Sequence, residues 1–388
     1  VSTIRSARAA ILLCALGAMA ESLFYTALAP ILPAIDEQLG ITHTLAGVLV
    51  AGYAIGYVLG TYPGYWLAMR TAPRTAGAAG VALVALGTLG FAAADDYPLL
   101  LAARVFVGAG SVIVYTGVLA AAADMAGAEA RGSAIGRVYA GSAAGGAVGP
   151  LVGAAAQAAG RGVVFGLVAV GQVAVALLLS RLPASAPLRG ASLREMLAHT
   201  RHRRVRLGLW ITAVPGFAMG VLTVAGSYRI AELGGTSLAI AAAFSGIAVI
   251  NVFLNPRIGR LSDRVGRERP VALTLLVAAA MLVAIALAAF EASTIVLIAM
   301  TGALMTAIGG PGLAMVGDEI ARHGGDPAQA TFLMNLSWGP TAVVGAIAAG
   351  VFHGHVGAEL ALALLCAVAL ATAAVVFRDR HAHRPIGE

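Results

Sequence analysis

The chain has 388 residues, 60% of them hydrophobic and 11% charged, with a formal net charge of +7. Its mean hydropathy of +0.89 exceeds what a globular core requires, so the bilayer is the expected solvent and a soluble enzyme is excluded. A spanning helix needs about 20 mainly apolar residues, and twelve runs meet that need: 9–33, 44–69, 75–94, 98–122, 133–157, 163–181, 207–228, 237–257, 271–290, 293–316, 328–352 and 357–377. Eleven further runs follow the first, which therefore reads as a span and not as a cleaved signal peptide.

The chain contains no lysine, and 22 of its 25 arginines fall on one side if the twelve runs cross in succession. The positive-inside rule makes that side cytoplasmic and puts both termini there, in an inner or plasma membrane. The pI near 9.9 is then a topology signal and does not point to nucleic acid. The exceptions are Arg161 and Arg229, which fall outside, and Arg104, which lies within a span.

The first span contains "ESLFYTALAPILP", Glu21 to Pro33, and Glu21 is the sole acid well inside any span. It lies twelve residues in from Ala9, about 18 Å at the helical rise and so near the midplane. Burial there disfavours its charged form. The loop after the second span reads "GYWLAMRTAPR". The fourth span carries "RVFVGAG", with Arg104 six residues past Pro98, about 9 Å in from the outer end. An intramembrane charge needs a cavity or a partner.

The fifth span holds "GSAAGGAVGPLVGAAA", in which Gly141, Gly145, Gly149 and Gly153 recur every fourth residue and Pro150 follows the third. Such glycines form a groove that admits another backbone. Pro150 frees the carbonyl of Gly146, so the helix can bend there. The longest polar interruption, "RLPASAPLRGASLREMLAHTRHRRVR", spans 181–206 and divides the runs six and six. Residues 192–206 suit an amphipathic surface helix or equally a solvated basic linker. The expected domains are thus a six-helix bundle at 1–180, a linker at 181–206 and a second bundle at 207–388.

The eighth span carries Asn251 and Asn255 on one face. The loop after it reads "GRLSDRVGRERP", Gly259 to Pro270. The halves repeat weakly: "DMAGAEARGSAIG" from Asp124 corresponds to "DEIARHGGDPAQA" from Asp318, and each precedes an apolar helix with a Gly-Pro, at 149–150 and 339–340. Six-plus-six repetition about a central loop is a transporter pattern, with the binding site at the midplane.

These stretches resemble the major facilitator superfamily and, within it, the twelve-helix drug:proton antiporters, which include vesicular amine and tetracycline exporters. In the loop after span 8, Gly259, Asp263, Arg264, Gly266 and Arg267 match the superfamily's cytoplasmic signature. The resemblance makes this loop a latch, with Asp263 near Gly132, Ser133 and Arg137. The first-half loop departs from the signature, with Ala68 at the acid position and Thr71 at the second glycine, so the latch is expected to be asymmetric. Arg104, Gly108 and Gly110 match the family's R-x-x-x-G-x-G arginine, which is linked there to proton movement. Glu21, Pro30 and Pro33 keep the register of an acid-then-proline pattern, with Glu in place of Asp. Gly136, Gly145, Gly149, Pro150 and Gly153 match the antiporter signature of span 5, with Ala154 at its last position.

The resemblance implies an all-α membrane protein of twelve helices in two pseudo-symmetric six-helix bundles. It also implies proton-coupled efflux of a lipophilic or cationic small molecule by alternating access. Glu21 and Arg104 are the expected proton-coupling pair. Candidate cavity residues are Phe24, Tyr25, Tyr53, Tyr57, Tyr115 and Tyr139 in the first half, and Asn251, Asn255, Asn335 and Trp338 in the second. Efflux of a sugar or neutral metabolite, with the asparagines as ligands, is the alternative transport reading, and uptake by symport is less favoured. A non-transporting receptor or scaffold is the rival from another class.

No ATP-binding loop or nucleophile elbow is present, so no enzyme activity is expected. The proton gradient would supply the energy, with no cofactor, and the partners are substrate, protons and lipid around a monomer. Cys14 and Cys366 read as buried small hydrophobes. The eight histidines, at 43, 199, 202, 323, 353, 355, 381 and 383, read as loop or tail residues without an acidic or Cys companion at ligand spacing on a helix, so no metal site is expected.

Overall fold

The computed structural model describes residues 7–184, 186–187, 192–326 and 329–382, with the side chains of Ala128, Arg380, His381 and Ala382 left aside. Part of the basic linker and His383 therefore lie outside the described residues. The elements are helical throughout: α1 (Ala7–Thr26), a 3-10 turn (Ala29–Ile31), α2 (Leu32–Leu39), α3 (His43–Arg70), α4 (Pro73–Ala93), α5 (Tyr97–Ala159) and α6 (Arg161–Ser180). The order continues with α7 (Leu193–Ala198), a 3-10 turn (His199–Arg201), α8 (Arg203–Val221), a π-helical turn (Leu222–Gly226) and α9 (Ser227–Glu232). It closes with α10 (Ser237–Val265), α11 (Glu268–Leu287), α12 (Glu291–Ala307), α13 (Gly309–Arg322), α14 (Gln329–His355) and α15 (Ala358–Ala382).

Eleven stretches among the described residues are long and apolar enough to cross a bilayer. The twelfth expected span, 133–157, is the far arm of the 63-residue α5, whose interruption is at Gly127 with φ 71° and ψ 175°. This is a backbone that glycine tolerates and L side chains avoid. α5 runs through Pro150 without a break in its helical dihedrals, and its non-helical residue is Gly127.

Helix ends follow local chemistry. The Asp96 side chain accepts from the Leu99 backbone N–H at 2.8 Å and starts α5, with Pro98 in its first turn. Ser192 and Glu195 form a reciprocal capping box on α7. The amphipathic helix expected over 192–206 is not continuous. His202, at φ −75° and ψ 129°, separates the 3-10 turn from α8, and Met196 on α7 is buried. This segment therefore packs onto the protein instead of lying free.

The chain forms two compact units. The N-terminal unit comprises 1–42, 48–190 and 236–248; the C-terminal unit comprises 43–47, 191–235 and 249–388. In the N-terminal unit α5 is central, with α1 and α4 against it. The rungs of the glycine ladder meet α1 one turn at a time: Gly141 at Ala15, Gly145 at Met19, Gly149 at Leu23 and Gly153 at Ala27. A Cβ at any rung would run into a backbone carbonyl, of α1 for the first three and of Ala27, just past its end, for Gly153. The ladder is thus a seam inside one unit, whereas Gly132 and Gly136 face open space. Phe24, Phe91 and Phe165 close the core of this unit edge to face, with centroids 5.3–5.5 Å apart.

In the C-terminal unit α8 is the buried helix, packed on α14 and α13. The most apolar window of Arg203–Glu232 is 78% buried, against 28% for Arg161–Ser180, so α8 is core while α6 presents its leucines outward. Leu167, Val170, Leu287 and Phe290 are among the most exposed large apolar side chains, at 66–79%. Such a surface is stable where the surroundings are hydrocarbon.

Candidate functional site

The helix register of α1 places Glu21 and Ser22 toward α5, and both are buried. On α5, Arg104, Ser111 and Tyr115 recur at i, i+7 and i+11, which is one face of a helix. Tyr53 and Tyr57 come from α3, one turn apart. The elements converge on the Glu21 carboxyl. The Tyr53 hydroxyl donates to its Oε1 at 2.6 Å, and the Ser22 hydroxyl donates to its Oε2 at 2.8 Å. The Ser111 hydroxyl, on the same face of α5, donates to the Val107 carbonyl at 2.9 Å. Ser22, Tyr115 and Ser142 close a hydroxyl triangle with edges of 2.9, 2.8 and 2.6 Å.

Arg104 is buried to 1% exposure, yet its Nε and Nη1 have no hydrogen-bond partner. Its guanidinium lies over the rings of Tyr53 and Phe24, with Cζ 5.4 and 5.8 Å from their centroids. Aromatic faces stabilise such a cation by about 2 kcal/mol when it is desolvated. No ion pair within 4.0 Å joins Arg104 to Glu21. Tyr53 stands between them, with its ring toward the cation and its hydroxyl on the acid.

The other first-half candidates surround this group. The Tyr25 and Tyr53 rings are 4.4 Å apart, and Tyr57 follows at 6.0 Å from Tyr53. Tyr139 stacks on Tyr115 at 6.5 Å and is 43% exposed, the most open of the set. Phe24 is buried in the aromatic trio.

The second-half candidates do not converge in this way. The Asn251 amide donates to Thr306 Oγ1 at 2.7 Å, a bond between α10 and α12. Asn255 is exposed and lines a cavity of about 340 Å³ with Ser262, Asp263, Arg267 and Thr306. Asn335 is buried on α14, and Trp338 is half-buried.

In the loop signature, Arg267 bonds Asp318 at 2.5 Å and lies 3.9 Å from Asp263. Gly266 has φ 86°, the left-handed turn that ends α10. Arg264 sits in the last turn of α10, and no Cβ contact restricts Gly259. The partner of the loop within its own unit is thus Asp318, the residue that opens the second-half repeat.

The sequence reading missed Ser22, Ser111, Ser142 and Gln172. The buried Gln172 amide donates to the carbonyl of Ala20, the residue before Glu21, at 2.9 Å. The Arg104–Ser111–Tyr115 face was the available signal. Ser142 and Gln172 had none, because their proximity arises from helix packing.

No curated protein matches this sequence significantly. Among solved structures, the chain is similar to a bacterial homolog of the human lysosomal transporter Spinster, in two inward-facing forms. The unoccupied form gives a TM-score of 0.74 at 15% identity, covering 97% of this chain and 99% of that one. The occupied form gives 0.70 at 16% identity, covering 96% and 98%. These likenesses concern the fold. The Major Facilitator Superfamily model matches residues 14–339 and 216–387. With its helical architecture and apolar spans, the chain belongs to the major facilitator superfamily of membrane transporters.

Proposed function

We propose that the protein is a proton-coupled antiporter that exports a lipophilic cation by alternating access, with Glu21 as the shared carrier of proton and substrate charge. The observation that carries this reading is one buried carboxyl in a cage of hydroxyls beside one buried guanidinium with unpaired N–H groups. With Glu21 ionised, the pair is neutral overall. With Glu21 protonated, a net positive charge remains on Arg104 in a medium where charges interact strongly. A cationic substrate is then repelled. Proton and cation exclude each other at the site, which is the condition for exchange.

The hydroxyls of Tyr53 and Ser22 already donate to the carboxylate oxygens, so the charged form is held without rearrangement. Tyr25, Tyr57 and Tyr139 supply π faces for a cation that displaces the proton. The arginine distribution supports cytoplasmic termini in an inner or plasma membrane.

Reconstitution in proteoliposomes with an imposed pH gradient tests the reading. A lipophilic cation should move against the proton gradient, and Glu21→Gln should lose gradient-driven exchange while keeping its fold. Full exchange by Glu21→Gln would remove Glu21 from the mechanism.

A further inference from the structure

Three ligating side chains meet outside the tyrosine-lined cluster, in the C-terminal unit. Glu319 and His323 lie one turn apart at the end of α13, on the same face. His202 directly precedes α8, which packs on α13 where Gly208 meets Gly312. One ligand atom from each of His202, Glu319 and His323 falls within 4.8 Å of the others. The sequence reading had found no acid at ligand spacing from a histidine on a helix. Glu319 holds that spacing, because α13 continues to Arg322.

Several features go beyond proximity. The His202 and His323 rings stand 3.7 Å apart between centroids, tilted by 32°. His323 Nδ1 lies 2.9 Å from the Glu319 backbone carbonyl. That contact holds the proton on Nδ1 and leaves the Nε2 lone pair for a ligand, the outer contact that metal-binding imidazoles commonly make. Glu319 is buried to 7% exposure. Arg322 Nη1 lies 2.5 Å from its Oε2, while Oε1 faces His323 Nδ1 at 3.8 Å. The arginine thus takes one carboxylate oxygen and leaves the other. His199, one helical turn before His202, packs its ring near Gly325 at the margin of the cluster.

We propose that His202, Glu319 and His323 form a binding site for a divalent transition metal of the zinc class, which ties the entry of α8 to the end of α13. Two imidazoles and one carboxylate are the donor set that zinc and its neighbours prefer, whereas magnesium and calcium need more oxygens. A three-residue set leaves a fourth position for water or an exogenous ligand. The bound ion would tie the segment His199 to His202 to the end of α13 within the C-terminal unit.

The test uses the full-length, tag-free protein in detergent, stripped of metal by a chelator. Cobalt is titrated while visible absorption is followed, and zinc is then added as competitor. One equivalent of cobalt with tetrahedral absorption, displaced by zinc, is expected, together with a rise in melting temperature. His323→Ala, at a half-exposed position that leaves packing intact, should weaken zinc binding by about 100-fold or more, since loss of even an outer-shell partner costs about 10–100-fold. Glu319→Gln should weaken it while preserving the fold. No metal-dependent change in the unmodified protein would overturn the site. So would unchanged binding in His323→Ala, which would assign the metal to other histidines.

Discussion

Among the described residues of the N-terminal unit, Arg104 has the most buried polar side-chain atoms without a hydrogen-bond partner. An unmet buried polar hydrogen-bonding group costs about 1–3 kcal/mol, and more when charged, yet Nε and Nη1 of Arg104 have no partner. A side chain held at such cost is a candidate for function over stability. Arg104→Met keeps the length of the side chain and removes those N–H groups. It should leave the melting temperature unchanged or higher, and it should abolish proton-driven exchange because Glu21 loses its counter-charge. Melting in detergent and exchange in proteoliposomes separate the two effects; exchange at the unmodified rate would assign Arg104 a packing role. Tyr53→Phe removes the 2.6 Å bond to Glu21. A hydrogen bond to a charged group contributes about 1.5–3 kcal/mol, so exchange should fall by about tenfold or more, with the protein still folded. An unchanged rate would place Tyr53 outside the coupling. At this scale the sequence pointed to the two charges through their improbability in apolar spans. The hydroxyl cage was largely hidden, because Ser22 and Ser142 look like ordinary small residues until α1 and α5 are packed together.

The glycine ladder belongs to the scale of the element. In water four glycines would weaken a helix by about 1 kcal/mol each. Here each one admits a backbone carbonyl of α1 or of Ala27 just past its end, so its value lies in the close approach of the two segments. Gly145→Ala and Gly149→Ala should each lower the melting temperature by several degrees, because a Cβ there meets the α1 backbone, at Met19 and at Leu23, and at Gly149 the Thr26 hydroxyl as well. Gly132→Ala and Gly136→Ala, in open space on the same helix, should be neutral or stabilising by up to about 1 kcal/mol. Equal responses from the two pairs would mean that the ladder carries no packing load. The spacing of four was legible in the sequence, but its partner was not, since a groove does not specify what fills it. The break at Gly127 was also unreadable. Among many glycines in the chain, only the observed φ of 71° marks this one, whereas Pro150 drew the attention and stays helical.

At the scale of the whole molecule, hydropathy decided the architecture. Continuous apolar runs are strong signals because the backbone must satisfy its hydrogen bonds internally in lipid. The fifth run disappears into α5 as a merged helix without changing the count of expected spans. Orientation rests on the arginines alone, and it can be read directly. Cys14 is fully buried and Cys366 half-buried, so Cys14→Ala with Cys366→Ala provides a background with little change in packing. In that background, single cysteines are placed at the exposed positions Asp95, Ala130, Ala198 and Thr236. If the termini are cytoplasmic, an impermeant maleimide added to intact cells should label Asp95→Cys and Thr236→Cys, and it should reach Ala130→Cys and Ala198→Cys only after permeabilisation. The reverse pattern would invert the topology and with it the direction of proton movement proposed for Glu21. Labelling of all four from one side would contradict an odd number of crossings between positions 95 and 130 and between 198 and 236, and would leave the arginine asymmetry without its physical cause.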